Sequence, residues 1–195
     1  MVIKVNDTNL RILSLFTKGY DKEHYIREVE KILKVSARTA LVTLAKLEKI
    51  GILESRKRGK IKTYSIRKTT FSREFFLLTE QYKKIQFLEK NQLIKEVLEK
   101  ADAFMKGIVI VFGSYAKGAQ KEDSDLDLFI VGTYDEKEIK NTGKKYGIDI
   151  NIKSYPLPLF EKEMHDDIFL KEIKENHILI KDAEGFVRRV VKWIR

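Results

Sequence analysis

The run Gly113-Ser114-Tyr115-Ala116-Lys117-Gly118-Ala119-Gln120-Lys121-Glu122-Asp123-Ser124-Asp125-Leu126-Asp127 constrains this chain more than any other. It lies between two apolar runs, Ile108-Val109-Ile110-Val111-Phe112 and Leu128-Phe129-Ile130-Val131, which read as buried strands. Asp125 and Asp127 stand two residues apart, and on a strand that spacing points both side chains to one face. Neighbouring carboxylates repel unless cations neutralise them. Gly113 follows the first strand, and a glycine turn there lets backbone N–H groups come close to a phosphate. Paired carboxylates beside a phosphate cradle point to nucleotide chemistry with a divalent metal.

A third carboxylate, Asp149, sits in Tyr146-Gly147-Ile148-Asp149-Ile150-Asn151-Ile152, where alternation turns it away from the isoleucines. Asp123 shares the phase of Asp125 but precedes the apolar run, and reads as a loop residue. Gly-Ser, a ten-residue spacer, Asp-x-Asp entering a strand and a later strand Asp together resemble the signature of the DNA polymerase beta-like nucleotidyltransferase superfamily, its minimal members in particular. The resemblance runs over residues 107–153. It implies that Asp125, Asp127 and Asp149 are catalytic and ligate Mg²⁺, two ions about 3.5–4 Å apart, with Asp149 on the acceptor side. It implies that Gly113, Ser114 and Lys117 contact the phosphates of an NTP, with ATP the expected donor. Lys117 stands where many relatives carry Arg, and Lys lacks the bidentate fork.

The 195 residues contain no cysteine, which excludes disulfides and thiolate metal sites. His24, His165 and His177 have no zinc-site spacing. No apolar run reaches membrane-spanning length, and Met-Val-Ile-Lys-Val-Asn-Asp lacks the form of a signal peptide, so a cytoplasmic protein without a membrane partner is expected. The net charge of +10 is unevenly placed. Residues 1–70 hold 17 Lys+Arg and 7 Asp+Glu, which leaves 22 of each sign for residues 71–195. The entire excess therefore sits in the first third, which argues for two modules and a polyanion partner for the first.

In that basic third, Leu10, Ile12, Leu13 and Phe16 recur at helical spacing, as do Tyr25, Ile26, Val29, Ile32 and Leu33. Ser36 offers an N-cap, and Ala40, Leu41, Leu44, Leu47 and Ile50 mark a third helix stopped by Gly51. Two short strands at 52–55 and 61–66 then flank the basic turn Arg56-Lys57-Arg58-Gly59-Lys60. Three helices and a basic hairpin resemble a winged helix-turn-helix domain of the ArsR/MarR type. The resemblance implies double-stranded DNA as partner, with Arg38, Thr39, Thr43 and Lys46 toward the major groove. Arg56, Lys57, Arg58, Lys60 and Lys62 would then meet phosphates or the minor groove.

The expected organisation is a winged helix-turn-helix at 1–70, a connecting helix at 71–105 and a nucleotidyltransferase domain at 106–195. The expected fold class is α/β (α+β), with a small mixed sheet. Its strands fall near 107–112, 126–131, 148–153 and 177–180, and its helices at 136–146, 160–175 and 183–194. Tyr155-Pro156-Leu157-Pro158 reads as an extended turn. Residues 71–105 read as one long helical stretch, able to pair with its twin in a homodimer. The expected function is metal-dependent transfer of a nucleoside monophosphate from an NTP to an acceptor hydroxyl, coupled to DNA binding, in an antitoxin-type regulator with a toxin protein as partner. The alternative is a DNA-binding regulator whose nucleotidyltransferase fold only senses nucleotide or binds a partner protein.

Overall fold

The computed structural model describes residues 5–191. The chain divides into two compact units, one running to Glu80 and taking in the segment from Val190, the other Gln81–Arg189. Among the described residues there are ten α-helices and two sheets, a mixed α/β fold. No helix among them is long and apolar enough to cross a membrane.

The first unit holds α1 (Asp7–Phe16), β1 (His24–Tyr25), α2 (Ile26–Leu33), α3 (Ala37–Lys49), β2 (Leu53–Arg58), β3 (Ile61–Ile66) and the first half of α4 (Thr70–Lys90). Its antiparallel sheet runs β1-β3-β2. Ser36 caps α3 by accepting from the Thr39 N–H, and Asn6 caps α1 by accepting from Asn9. Ile12, Leu13, Phe16, Val29, Leu44, Leu47, Ile52 and Tyr64 are buried and form the core. The phase of α3 differs from the expected one. Thr43 is buried and Leu41 is 47% exposed, so the inward face is Ala40, Thr43, Leu44 and Leu47.

The stretch 71–105 is not one helix. Asn91 leaves helical geometry (φ −124°, ψ 67°), and α5 (Gln92–Ala101) starts after it. A 3₁₀ turn, Asp102–Phe104, then leads into the second unit's sheet.

That sheet is built from β4 (Met105–Val111), β5 (Leu126–Tyr134), β6 (Ile150–Tyr155) and β7 (Ile178–Lys181), with the short α6 (Gly113–Lys117) after β4 and α7 (Glu136–Lys145) between β5 and β6. The order is β6-β5-β4-β7, parallel only between β5 and β6. Leu126, Leu128 and Ile130 on one face of β5 share a core with Ile94, Val97 and Leu98 of α5 and Ile139 of α7. Phe129 on the other face packs edge-on against Tyr155 and Phe169 and tilted against Phe160. Helices thus cover both faces, which is why the strands read as unbroken apolar runs.

Two expectations change in the last third. Pro156-Leu157-Pro158 is a helix start, not an extended turn, with Pro156 as N-cap of α8 (Leu157–Glu163). The helix expected over 160–175 is broken before α9 (Ile168–Glu175), where Asp167 accepts from the Leu170 N–H as a new cap. The closing helix is α10 (Ala183–Val190), and the end of the expected one, past residue 191, lies outside the described residues, as do residues 1–4 at the other end.

Candidate nucleotide and metal site

The parallel register of β5 and β6 assembles the polar centre. Leu126 pairs with Ile150 and Asp127 with Asn151, while the Leu126 N–H donates to the Asp149 carbonyl at 2.8 Å. On one face this brings together Asp125, Asp127 and Asn151. The Asn151 amide donates from Nδ2 to Asp125 Oδ2 at 3.1 Å and, more weakly, to Asp127 Oδ1 at 3.4 Å. Asp125 and Asn151 are exposed, whereas Asp127 is half-buried. Burial pushes the Asp127 carboxyl above its ordinary range. The Asn151 hydrogen bond opposes that rise, and the Asp125 charge adds to it.

Gly113 faces this centre from the start of α6. Its φ is +67°, and a Cβ placed there would overlap the Asp127 carboxylate. The position therefore requires glycine twice, for its backbone conformation and for the room it leaves Asp127. Ser114 follows, half-buried in the first turn of α6. Lys117 ends that helix, and its Nζ lies 2.6 Å from Glu172 Oε1 of α9. Both partners are largely exposed, and such a pair contributes about 0–1 kcal/mol.

Asp149 is exposed, one residue before β6. Among the described residues no three His, Cys, Asp or Glu side chains converge to hold a metal ion between them. The structure thus unites Asp125 with Asp127 and sets Asn151 beside them. Two carboxylates with a shared amide are oxygen donors able to hold a divalent cation whose remaining ligands are phosphate and water oxygens. Sequence reasoning passed over Asn151 because it carries no charge. It also passed over Lys153, one pleat further along β6, whose Nζ sits 3.7 Å from the centre of the Phe169 ring.

In the first unit the expected contacts separate. Arg38, Arg56, Lys57, Arg58 and Lys60 are exposed, and Thr39 and Lys46 are half-buried. Thr39 is engaged with Ser36 at the start of α3. Arg58 pairs with Glu23 at 3.1 Å and Lys62 with Glu48 at 2.6 Å, the latter partly screened by solvent. Thr43 is 8% exposed and turned into the core, so it does not reach a ligand on the outer face of α3. That face carries Arg38, Leu41, Val42, Ala45 and Lys49.

Comparison with known proteins bears on the second unit. Residues 90–184 match the family model of the nucleotidyltransferase domain. Over 99 residues, 47% of this chain and 99% of the relative, the chain is 29% identical to the "Putative protein adenylyltransferase" of Methanocaldococcus jannaschii. Both findings support nucleotidyl transfer as the general chemistry of this domain. The glycine turn, the carboxylate pair and β6 all lie inside the nucleotidyltransferase match. A solved structure of TrmBL2, an archaeal chromatin protein with a novel mode of DNA binding, is 17% identical and covers 85% of this chain and 68% of its own. Its TM-score is 0.29, and at that level the likeness carries no argument.

Proposed function

We propose that the second unit transfers a nucleoside monophosphate from an NTP to an acceptor hydroxyl. The observation that carries this is the convergence of Asp125, Asp127 and the Gly113 turn inside the matched nucleotidyltransferase domain. Asp125 and Asp127 hold the cation, Mg²⁺ in the cell. A divalent ion there neutralises the triphosphate and the charge that develops on the leaving pyrophosphate. Gly113 and Ser114 face the phosphates, and Lys117 leaves Glu172 to join them. Asp149, exposed just before β6, receives the acceptor's proton, directly or through water. The acceptor oxygen bonds to the α-phosphorus as the bond to the β-phosphate oxygen breaks, and pyrophosphate departs. ATP is the proposed donor, and a protein hydroxyl, such as one on a partner toxin, the proposed acceptor. Incubation with α-labelled ATP, Mg²⁺ and a lysate of the source cells should label a protein band with wild type. No band, or an equal one with Asp127→Asn, would contradict the assignment.

We further propose that the first unit is a winged helix that binds duplex DNA in the cytoplasm. The charge placement supports it, since all the excess lies in residues 1–70. Arg56, Lys57 and Lys60 at the hairpin meet phosphates, and α3 presents Arg38 and Lys46 beside Leu41 and Val42, which suit thymine methyl groups. Affinity for a duplex should fall steeply with salt, and Lys57→Ala with Lys60→Ala should flatten the log–log slope by about 1 per lost phosphate contact. A slope unchanged in the variant would remove the hairpin from the interface. A purely regulatory role, with the nucleotide site as sensor, is favoured if ATP binds and no acceptor is ever labelled.

A homodimer through α4 fits the same reading. Phe71, Leu78 and Ile85 are exposed at seven-residue intervals on that helix, a spacing that forms a seam between paired helices. Leu78→Glu should convert a dimer into a monomer in sedimentation analysis, and wild type sedimenting as a monomer would dismiss the seam.

A further inference from the structure

We propose that Lys153 forms an anion subsite for the acceptor, and that the acceptor is a protein hydroxyl flanked by acidic side chains. This rests on the nucleotidyl-transfer reading given above and deepens it to a substrate class. In the sheet order β6-β5-β4-β7, Asp127 lies on β5. The Gly113 turn and α6 follow β4 on one side of it, and β6 lies on the other side, at the sheet edge. A triphosphate held by Gly113, Ser114 and Lys117 therefore leaves the β6 side to the acceptor. There Asn151 pairs with Asp127 and Lys153 with Phe129. Lys153 thus stands on the face that carries Asp127, two residues or about 6.6 Å along β6 from Asn151. Asp149, Asn151 and Lys153 are all exposed.

The Lys153 ammonium is held in place. Its Nζ lies 3.7 Å from the centre of the Phe169 ring, and that ring packs against Phe112, Phe129 and Tyr155. Phe112 immediately precedes Gly113, and its N–H donates to the Asp127 carbonyl, so the platform under the ammonium is tied to the phosphate cradle. Among the described residues Lys153 makes no hydrogen bond or ion pair. Asp167 feels its charge, but that carboxylate is engaged by the Leu170 N–H at 2.8 Å and the Tyr155 hydroxyl at 3.1 Å. A lysine that merely guards an edge strand extends into water. One laid on a ring beside the reacting centre, its charge unmatched by any carboxylate, suits an anion that arrives with the substrate. An acceptor chain with Asp or Glu two to four residues from its hydroxyl can set the hydroxyl near Asp149 and the carboxylate on Lys153. An extended chain covers about 13 Å in four residues, the span from 149 to 153.

The test offers the full chain α-labelled ATP, Mg²⁺ and synthetic peptides, each with a single Ser, Thr or Tyr flanked by Glu, Ala or Lys, and an RNA oligonucleotide beside them. Wild type, Lys153→Arg, Lys153→Ala and Lys153→Glu are compared, with circular dichroism as the check that each folds. Calorimetry with Mg²⁺ and the non-transferable analogue α,β-methylene-ATP reads the nucleotide site separately. Wild type should prefer Glu-flanked over Ala-flanked peptides by about 3- to 5-fold in kcat/KM, the effect of one partly solvated charge pair. The preference should lie in KM, persist in Lys153→Arg, vanish in Lys153→Ala and turn toward Lys-flanked peptides in Lys153→Glu. Analogue affinity should be the same in all four proteins. Equal labelling of Glu- and Lys-flanked peptides by wild type would overturn the inference, as would a preference unchanged in Lys153→Glu. Analogue affinity lowered in Lys153→Ala would place Lys153 on the nucleotide instead and overturn it too. Labelling confined to the RNA, or of nothing while the analogue still binds, would overturn the inference alone. No labelling and no analogue binding in any folded protein would overturn the nucleotidyl-transfer reading as well.

Discussion

Asp127→Asn should abolish transfer and, in the ligand-free protein at neutral pH, raise the melting temperature. The loss of activity should be about 10²-fold or more, the effect of removing one electrostatic stabiliser of a transition state. The gain in stability follows from the direction of the Asp127 shift. Burial first, and the Asp125 charge after it, hold the folded-state carboxyl above its ordinary range. Between the unfolded and folded pKa values the folded protein binds more protons, so stability falls as pH rises through that window. Above the window the full penalty is present, and Asn removes it. The advantage of the variant should therefore disappear below the ordinary Asp range, where both states are protonated. Thermal melts of both proteins across acid and neutral pH check this. A variant less stable than wild type at neutral pH would mean that Asp127 is a structural carboxylate.

Gly113→Ala should have the opposite stability sign and the same functional result. A left-handed backbone conformation costs a non-glycine residue about 1–2 kcal/mol, and the φ at Gly113 is +67°. In a chain of this size each kcal/mol lowers the melting temperature by about 2–4 °C. The added methyl also overlaps the Asp127 carboxylate and pushes it away from Asp125. Nucleotide binding should be lost even at temperatures where the variant stays folded. Calorimetric titration with Mg²⁺ and α,β-methylene-ATP, at a temperature set by the variant's own melt, separates the two effects. Binding of normal strength would show that the Asp127 position tolerates the displacement.

The contrast between these substitutions shows how far the sequence could be read. Asp125 and Asp127 were legible because strand alternation is local and the apolar run after them fixes the phase. The identity of the third polar neighbour was not, because it depends on how β6 slides against β5. That register is a tertiary quantity, set by the α7 crossover and the cores on both faces. Counting carboxylates selected Asp149, and the sheet adds Asn151, hydrogen-bonded to both Asp125 and Asp127. Asn151 shares the strand phase of Asp149, the one local signal that pointed to it.

In α3 the error was one of helical phase. Leu41 was placed inside on hydrophobicity, yet Ala40, Thr43, Leu44 and Leu47 form the buried arc and leave Leu41 and Val42 exposed. A threonine methyl packs well enough to let neighbours decide its side. The break at Asn91 carried no Gly or Pro to announce it. The start of α8 did carry a signal, since proline at the first helical turns is favourable, and the Asp167 cap marked the start of α9.

The central claim is that Asp125 and Asp127 form a cation-dependent NTP site. The most direct measurement is the thermal shift produced by Mg²⁺ with each NTP, in wild type and in the Asp125→Asn/Asp127→Asn double variant. A nucleotide present at about a hundred times its dissociation constant should add roughly 2.7 kcal/mol of stability. The account predicts a shift that needs both Mg²⁺ and nucleotide, is largest with ATP, and is absent in the double variant. A wild type unmoved by every NTP, or a double variant that shifts equally, would contradict it.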